Sequence, residues 1–136
     1  MAQTAIGSLE PYARSVLRIM AGFMFTLHGL QKLFGFFGGM GGSGARASLF
    51  TLPWTAACIE SVGGVLILLG LFTSPVAFIL CGEMATAYFM AHFPRGFLPI
   101  RNGGELAVLY CFIYLYLFTA GPGLLSADYL VRKKYR

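Results

Sequence analysis

The apolar residues of this chain fall into four long runs separated by short polar or glycine-rich segments. Their approximate bounds are residues 16–37, 55–72, 75–93 and 104–120. A bilayer core about 30 Å thick takes roughly 20 apolar residues in a helix, so each run is close to the length of a span. The pattern predicts an all-α, polytopic membrane protein, a four-transmembrane-helix bundle that forms a single domain over residues 1–136.

The segments between the runs carry signals that end helices. The first connection, GGMGGSGARAS at 38–48, has too many glycines to hold a helix. Residues 73–75 predict a very tight turn, and PRGFLPIRN at 94–102 predicts an ordered interfacial loop. The segment GPGLLSAD at 121–128 breaks the last helix, and residues 129–136 are predicted to be a basic tail.

Composition agrees with a membrane setting. Hydrophobic residues make up 57% of the chain and charged residues only 11%, against about 25% charged in an average soluble domain. Too few polar residues remain to cover a soluble globule, which argues against a cytosolic enzyme, a disordered chain and a nucleic-acid-binding protein. Cys58, Cys81 and Cys111 are widely spaced and give no metal or dithiol signature, so we interpret them as small hydrophobes.

The positive charges predict an orientation in the membrane. Four of the ten Lys and Arg residues lie in the last five positions, and Arg14 and Arg18 share their side of a four-span topology. The other side carries Lys32, Arg46, Arg95 and Arg101. The positive-inside rule then places both termini in the cytoplasm, where the tail would meet the anionic headgroups of the bilayer.

Polar residues inside the apolar runs are the main functional signal. Ionisable groups cost roughly 2.5 to 3.5 kcal/mol to insert, so those that remain usually face a partner or a wet cavity. The first run places its charged residues and two glycines on one helical face, predicted to turn into the bundle: Arg18, Gly22, Phe25, Gly29 and Lys32. The topology also gathers six polar residues in the outer half: His28, Lys32, Glu60, His92, Asn102 and Glu105.

These residues allow a structural interpretation. Lys32 with Glu60 or Glu105, and Arg18 with Glu83, can be ion pairs that only fix the register of the helices.

A chemical interpretation stands beside it, in which His and Glu side chains hydrogen-bond a quinone ring and exchange protons with it. The residues predicted to act on protons are His28, Glu60 and Glu105, and those predicted to hold the cofactor are Lys32, His92 and Asn102. Glu83 is less favoured, because His92 lies nine residues further on and points about 180° away on a helix.

An internal repeat is also suggested. The second run ends in LGLFTSP after Glu60, and the fourth ends in LYLFTAGP after Glu105 at nearly the same spacing. His28 and His92 lie toward the outer ends of the first and third runs. The chain is therefore a candidate for two parallel repeats of a helix pair.

Five stretches of the chain carry a family resemblance. They are LRIMAGFMFTLHGLQKLFG at 17–35, IESVGGVLILLGLFT at 59–73, MATAYFMAHFPRGF at 84–97, NGGELAVLY at 102–110 and GPGLLSAD at 121–128. With them the chain resembles the DoxX family. That resemblance implies a four-helix integral protein of the bacterial cell inner membrane, linked to quinones and to membrane oxidoreductases, and by motif position it points to the same six residues.

The expected function is that of a quinone-interacting subunit or accessory of a membrane oxidoreductase system. We see no haem-ligand pair, flavin motif, metal motif or thiol pair, so a partner subunit is expected to hold the electron carrier. A non-catalytic scaffold or assembly protein is one alternative, and a conductor of small solutes or protons is another. Glycines on a lipid-facing side would favour a homo-oligomer.

Overall fold

The computed structural model describes residues 6–134, which fold into six α-helices joined by short turns and one glycine-rich loop. The helices are α1 (Glu10–Phe34), α2 (Leu52–Leu69), α3 (Thr73–Ala87), α4 (Pro99–Asn102), α5 (Glu105–Ala120) and α6 (Ala127–Lys134). A π-helical turn, Tyr88–His92, and a 3-10 turn, Phe93–Arg95, extend α3 without a break. The all-α prediction is therefore confirmed for the described residues.

The four long helices carry apolar side chains on their outer surfaces. Exposed examples, one from each, are Phe23 in α1, Val62 in α2, Phe78 in α3 and Phe112 in α5. Two stretches are long and apolar enough to cross a membrane by length and composition, Leu52–Leu69 and Thr73–Arg95. The apolar helix α5 is shorter, with 16 residues, and α1 has 25 residues but carries charges near both ends.

Several helix ends differ from the predicted ones. Helix α1 begins at Glu10 rather than near residue 16, because Pro11 fits the first turn and a carboxylate is favoured there. The turn predicted at 73–75 lies earlier, since Gly70 ends α2 in the left-handed conformation with φ of 68° and residue 73 already begins α3. The predicted tail is helical as far as Lys134, and residues 135–136 lie outside the described part.

The long helices pack as two antiparallel pairs, α1 with α2 and α3 with α5. The pairs meet mainly through α2 and α3, whereas the backbones of α1 and α5 come close at few positions and the two helices contact each other through aromatic side chains. The division follows the two helix-pair repeats suggested by the sequence. The start of α1 and the helix α6 lie at one end of the bundle, the terminal end, and the glycine-rich loop and α4 lie at the other, the loop end.

Glycines bring α1 and α2 into backbone contact. A Cβ atom on Gly22 would lie 2.4 Å from the Leu68 nitrogen and 2.8 Å from the Gly64 oxygen. One on Gly29 would lie 2.2 Å from Ser61 Oγ and 2.6 Å from the Ser61 nitrogen. Real Cβ atoms do not approach so closely, so larger residues would force the helices apart. The predicted inward face of the first helix is confirmed by this contact.

Arg18 ties three segments together at the terminal end. Its side chain is fully buried. Its guanidinium donates hydrogen bonds to the carbonyl oxygens of Ile67 and Leu68 (2.6 Å for Leu68) at the end of α2, and to those of Pro122 (2.9 Å) and Leu125 in the connection after α5. The Ile67 carbonyl also accepts the N–H of Gly70 at 3.0 Å, and the other three lie at the end of α2 or beyond α5, where a helix leaves carbonyls without a partner. A buried Arg satisfies several such groups at once.

Asp128, the second residue of α6, fixes the start of α3 at the same end. Its carboxylate accepts the backbone N–H groups of Phe72 and Thr73, both at 2.8 Å. Its own N–H donates to the carbonyl of Gly70 at 2.9 Å. A carboxylate at a helix N-terminus satisfies free N–H groups and is stabilised by the helix dipole. The segment that follows α5 therefore closes the terminal end instead of trailing from it.

We expect Gly29→Ala to destabilise the protein by about 1–3 kcal/mol, because the added methyl meets Ser61 and overpacks the α1–α2 contact. Thermal unfolding in one detergent measures the effect. Gly82→Ala is the matched control, since a Cβ on Gly82 meets nothing within 4 Å and alanine is the better helix former. Equal melting temperatures for the two variants would contradict the close crossing.

Candidate functional site

A polar cavity of about 210 Å³ lies toward the loop end, between α1, α2, the π turn after α3, and α5. Its polar lining residues are His28, Lys32, Glu60, His92 and Tyr110. Four of the six predicted site residues, His28, Lys32, Glu60 and His92, therefore meet at one cavity, although they come from three separate parts of the chain. We call it the polar cavity.

Lys32 and Glu60 form a buried ion pair in the wall of the polar cavity. Lys32 Nζ donates to Glu60 Oε1, and the Glu60 side chain is only 3% exposed, against 29% for Lys32. This confirms the predicted pair. Glu60 Oε2 is also buried and has no hydrogen-bond partner among residues 6–134. Because a buried carboxylate oxygen is usually satisfied, it is suited to accept an O–H or N–H from a ligand.

The two histidines offer different chemistry to the polar cavity. The His28 ring lies edge-on to the Tyr110 ring, with centroids 6.3 Å apart. His92 Nδ1 lies 3.2 Å from the Asn102 carbonyl oxygen and 3.2 Å from Arg95 Nη2. The first neighbour can only accept a hydrogen bond and the second can only donate one, so each neutral tautomer of His92 has a partner. His92 Nε2 can accordingly serve as donor or acceptor.

Asn102 has a structural position at the loop end. It is buried, and its Nδ2 donates to the Gly96 carbonyl at 2.7 Å and to the Tyr88 hydroxyl at 3.2 Å. Its Oδ1 accepts the backbone N–H of Gly104 at 2.8 Å. The Tyr88 hydroxyl in turn donates to the Phe97 carbonyl. The amide thus fixes the loop that carries the rim of the polar cavity, and its side chain is occupied by protein partners.

Glu105 lies apart from the other predicted residues. It is the exposed first residue of α5, where a carboxylate is favoured by the helix dipole, and it is not in the lining of the polar cavity. The alternative pairing of Lys32 with Glu105 is wrong, because within residues 6–134 Lys32 pairs with Glu60. The suggested pair of Arg18 with Glu83 is also wrong, since the Arg18 guanidinium is directed to backbone carbonyls.

Glu83 lines a second cavity, of about 430 Å³, between α2 and α3. Most of its wall is apolar, as at Ile59 and Ile79, and we call it the apolar cavity. Both Glu83 carboxylate oxygens are buried and unpartnered within the described part of the chain. Lys32 lines both cavities, so it separates the two carboxylates, Glu60 and Glu83. As the helical spacing predicted, Glu83 and His92 line different cavities.

An apolar groove of about 220 Å³ runs along the weak contact between α1 and α5. Its lining includes Met20, Met24 and Leu109. Leu106 and Tyr110 line both this groove and the polar cavity, so the two spaces adjoin. The sequence alone did not predict this groove, because the groove depends on how closely α1 and α5 pack against each other.

Two buried tyrosines extend the polar character into the core. The Tyr110 and Tyr114 rings stack at 5.8 Å, and both contact Phe25 at about 5 Å. Their hydroxyls are buried without a hydrogen-bond partner among the described residues. Buried phenolic hydroxyls usually find a partner.

The structure brings two of the three cysteines together. Cys81 in α3 and Cys111 in α5 are unpaired thiols whose Sγ atoms lie 3.7 Å apart. No thiol pair is visible in the sequence, because these two cysteines are 30 positions apart and only the packing of α3 against α5 brings them together. No group of three or more His, Cys, Asp or Glu side chains suited to a metal ion occurs within residues 6–134.

Comparison with known proteins gives two kinds of match. The DoxX family matches residues 13–93, a range that contains His28, Lys32, Glu60 and His92 but ends before Asn102. An uncharacterized protein of Haemophilus influenzae is 46% identical over 129 residues, which cover 92% of this chain and 95% of that relative. A Bacillus subtilis protein named "Putative oxidoreductase CatD" is 30% identical over 122 residues, covering 87% of this chain and 86% of its own length. No solved structure matches the chain.

We expect Lys32→Met to cost more stability than Glu60→Gln, because it leaves the Glu60 carboxylate buried without a cation, a loss of about 3–5 kcal/mol. In Glu60→Gln the partly exposed ammonium can turn toward polar surroundings. The double variant is expected to be more stable than Lys32→Met alone. Melting temperatures in one detergent measure all three.

Glu10→Gln is the control for the ion pair. It breaks the more exposed pair of Glu10 with Arg14, whose closest N···O distance is 3.1 Å, and such pairs contribute about 1 kcal/mol or less. If Lys32→Met lowers the melting temperature no more than Glu10→Gln does, the Lys32–Glu60 pair does not hold the bundle together.

Proposed function

Because this chain belongs to the DoxX family, we propose that it is a quinone-interacting subunit or accessory of a membrane oxidoreductase system. The family places it among membrane proteins, and the apolar outer surfaces of its long helices suit a lipid environment. The name of the Bacillus subtilis relative supports a role beside an oxidoreductase.

In this proposal α1, α2, α3 and α5 are the four transmembrane helices. The helix α5 has 16 residues, a length of about 24 Å, and a bilayer accommodates such a short span by local thinning. Both termini would lie on the cytoplasmic side of the inner membrane, because α6 brings Arg132, Lys133 and Lys134 to the terminal end. These charges would meet anionic headgroups there.

The observation that carries the proposal is that the polar cavity and the apolar groove adjoin. A lipid-soluble quinone has a polar ring and an apolar tail, and the two spaces that share Leu106 and Tyr110 match that division. The unpartnered Glu60 Oε2 would accept the O–H of the reduced, hydroquinone ring, and the two histidines would donate to a ring carbonyl oxygen. The tail would lie against Met20, Met24 and other groove residues.

A quinone bound there would supply reversible transfer of two electrons and two protons. The chain would position it and handle the protons. Lys32 holds the Glu60 carboxylate in place, so that Oε2 is free to accept a hydrogen bond. His92 Nε2 can donate or accept, because Nδ1 has a partner in either tautomer. Electrons would come through a partner subunit, as the family resemblance implies.

A scaffold role is the second candidate. At the loop end Phe37 and Phe50 are exposed, Phe50 by 85%, and a partner protein could cover them. Conduction of solutes or protons has less support, because the buried Arg18 and its carbonyl partners close the terminal end.

The test is a solvent extract of gently purified protein, with its quinone content measured by mass spectrometry. We expect near-stoichiometric quinone plus hydroquinone in the wild type and at least about tenfold less hydroquinone in Glu60→Gln, because the hydroquinone O–H bonds a charged group and such a bond contributes about 1.5–3 kcal/mol. His28→Ala is expected to reduce the content as well.

Glu10→Gln makes the same chemical change at the opposite end of the bundle and is expected to keep its quinone. Thermal unfolding checks that each variant is folded. Folded wild-type protein without quinone would contradict the proposal and favour the scaffold.

A further inference from the structure

The thiol pair lies between the two helices of the α3–α5 pair. Cys81 and Cys111 place their Sγ atoms 3.7 Å apart, and both side chains are half-buried against the core. Cys58, the third cysteine, lies on α2 and has no sulfur neighbour of this kind within residues 6–134. Within the described part of the chain, Cys81 and Cys111 are therefore the only two thiols placed to form a disulfide with each other.

Closing this pair to a disulfide needs little movement. A disulfide bond is about 2.05 Å long, so the sulfurs have to approach by about 1.7 Å. The helices are already held together, and Phe78 of α3 contacts Phe118 of α5 with ring centroids 5.2 Å apart. Since α3 and α5 pack closely along their length, side-chain rotation is the main change required.

The position of the two thiols in the helices favours a lipid-soluble oxidant. Both thiols lie well inside apolar helices, and the face beside Cys81 is open at Gly82, where a Cβ would meet nothing within 4 Å. A dissolved oxidant in water would have to enter the lipid phase to reach them, whereas a lipid-soluble molecule is already there. Cys111 also directly follows Tyr110, which lines both the polar cavity and the apolar groove.

We propose that Cys81 and Cys111 are a redox-active dithiol that reduces a lipid-soluble quinone and closes to a disulfide between α3 and α5. The two S–H bonds break and one S–S bond forms, so the pair loses two electrons and two protons. The quinone gains both electrons, and its two carbonyl oxygens take the two protons to give the hydroquinone. This inference rests on the proposed function, because it uses the same class of molecule as oxidant.

The test uses the full-length protein in detergent, reduced and then freed of reductant without oxygen. Decylubiquinone is added, and the remaining thiols are alkylated and counted by intact mass, while peptide mapping locates any disulfide. The protein starts with three free thiols. We expect one free thiol, a Cys81–Cys111 disulfide, and consumption of decylubiquinone equal to the disulfide formed, measured by absorbance.

Cys58→Ala is the matched control and is expected to form the disulfide as fully as the wild type. Cys81→Ala and Cys111→Ala are each expected to lose it. Three free thiols after decylubiquinone, a disulfide that includes Cys58, or a disulfide formed without loss of quinone would each overturn the inference.

A binding measurement with decylubiquinone separates this inference from the proposed function. If the wild type binds decylubiquinone and its hydroquinone and Glu60→Gln loses the hydroquinone, but no disulfide forms, the dithiol role is wrong and the quinone site stands. If decylubiquinone does not bind and no disulfide forms, both are wrong.

Discussion

The buried guanidinium of Arg18 is the interaction on which the arrangement of the bundle depends. It lies where α2 ends and where the chain returns after α5, and it satisfies carbonyl groups from both segments. Without those bonds the partly buried carbonyls of Leu68, Pro122 and Leu125 would lose their protein partner, and an unsatisfied buried acceptor costs about 1–3 kcal/mol. Asp128 then uses the returned segment to fix the start of α3. One cation at the terminal end thus sets the positions of four helices.

The polar cavity at the opposite end follows from that arrangement. Gly22 and Gly29 let α1 lie directly on α2, and this brings Lys32 within reach of Glu60. The π turn at Tyr88–His92 turns the end of α3 so that His92 lines the same cavity. Each half of the molecule contributes one part of the site, so the site exists only when the two helix pairs are correctly joined.

The sequence alone predicted those features that depend on a single helix. Periodicity identified the inward face of α1, and helix direction brought His28, Glu60 and His92 to the same end. It could not separate the two cavities on either side of Lys32, nor find the contact between Cys81 and Cys111, because both depend on how closely particular helices pack. Glu105 begins its helix at the predicted end, but position along the chain gave its depth and not its exposure, and it does not line the polar cavity.

The apolar groove between α1 and α5 determines which concentration controls the occupancy of a lipid-soluble molecule in this protein. This groove has an almost entirely apolar lining. In the proposed four-span arrangement, a molecule that enters by it would come from the acyl chains by diffusion in two dimensions. Its occupancy follows its mole fraction among the lipids rather than its amount in solution. Adding empty lipid or detergent would therefore strip the molecule from the protein, even at a fixed total concentration in the sample.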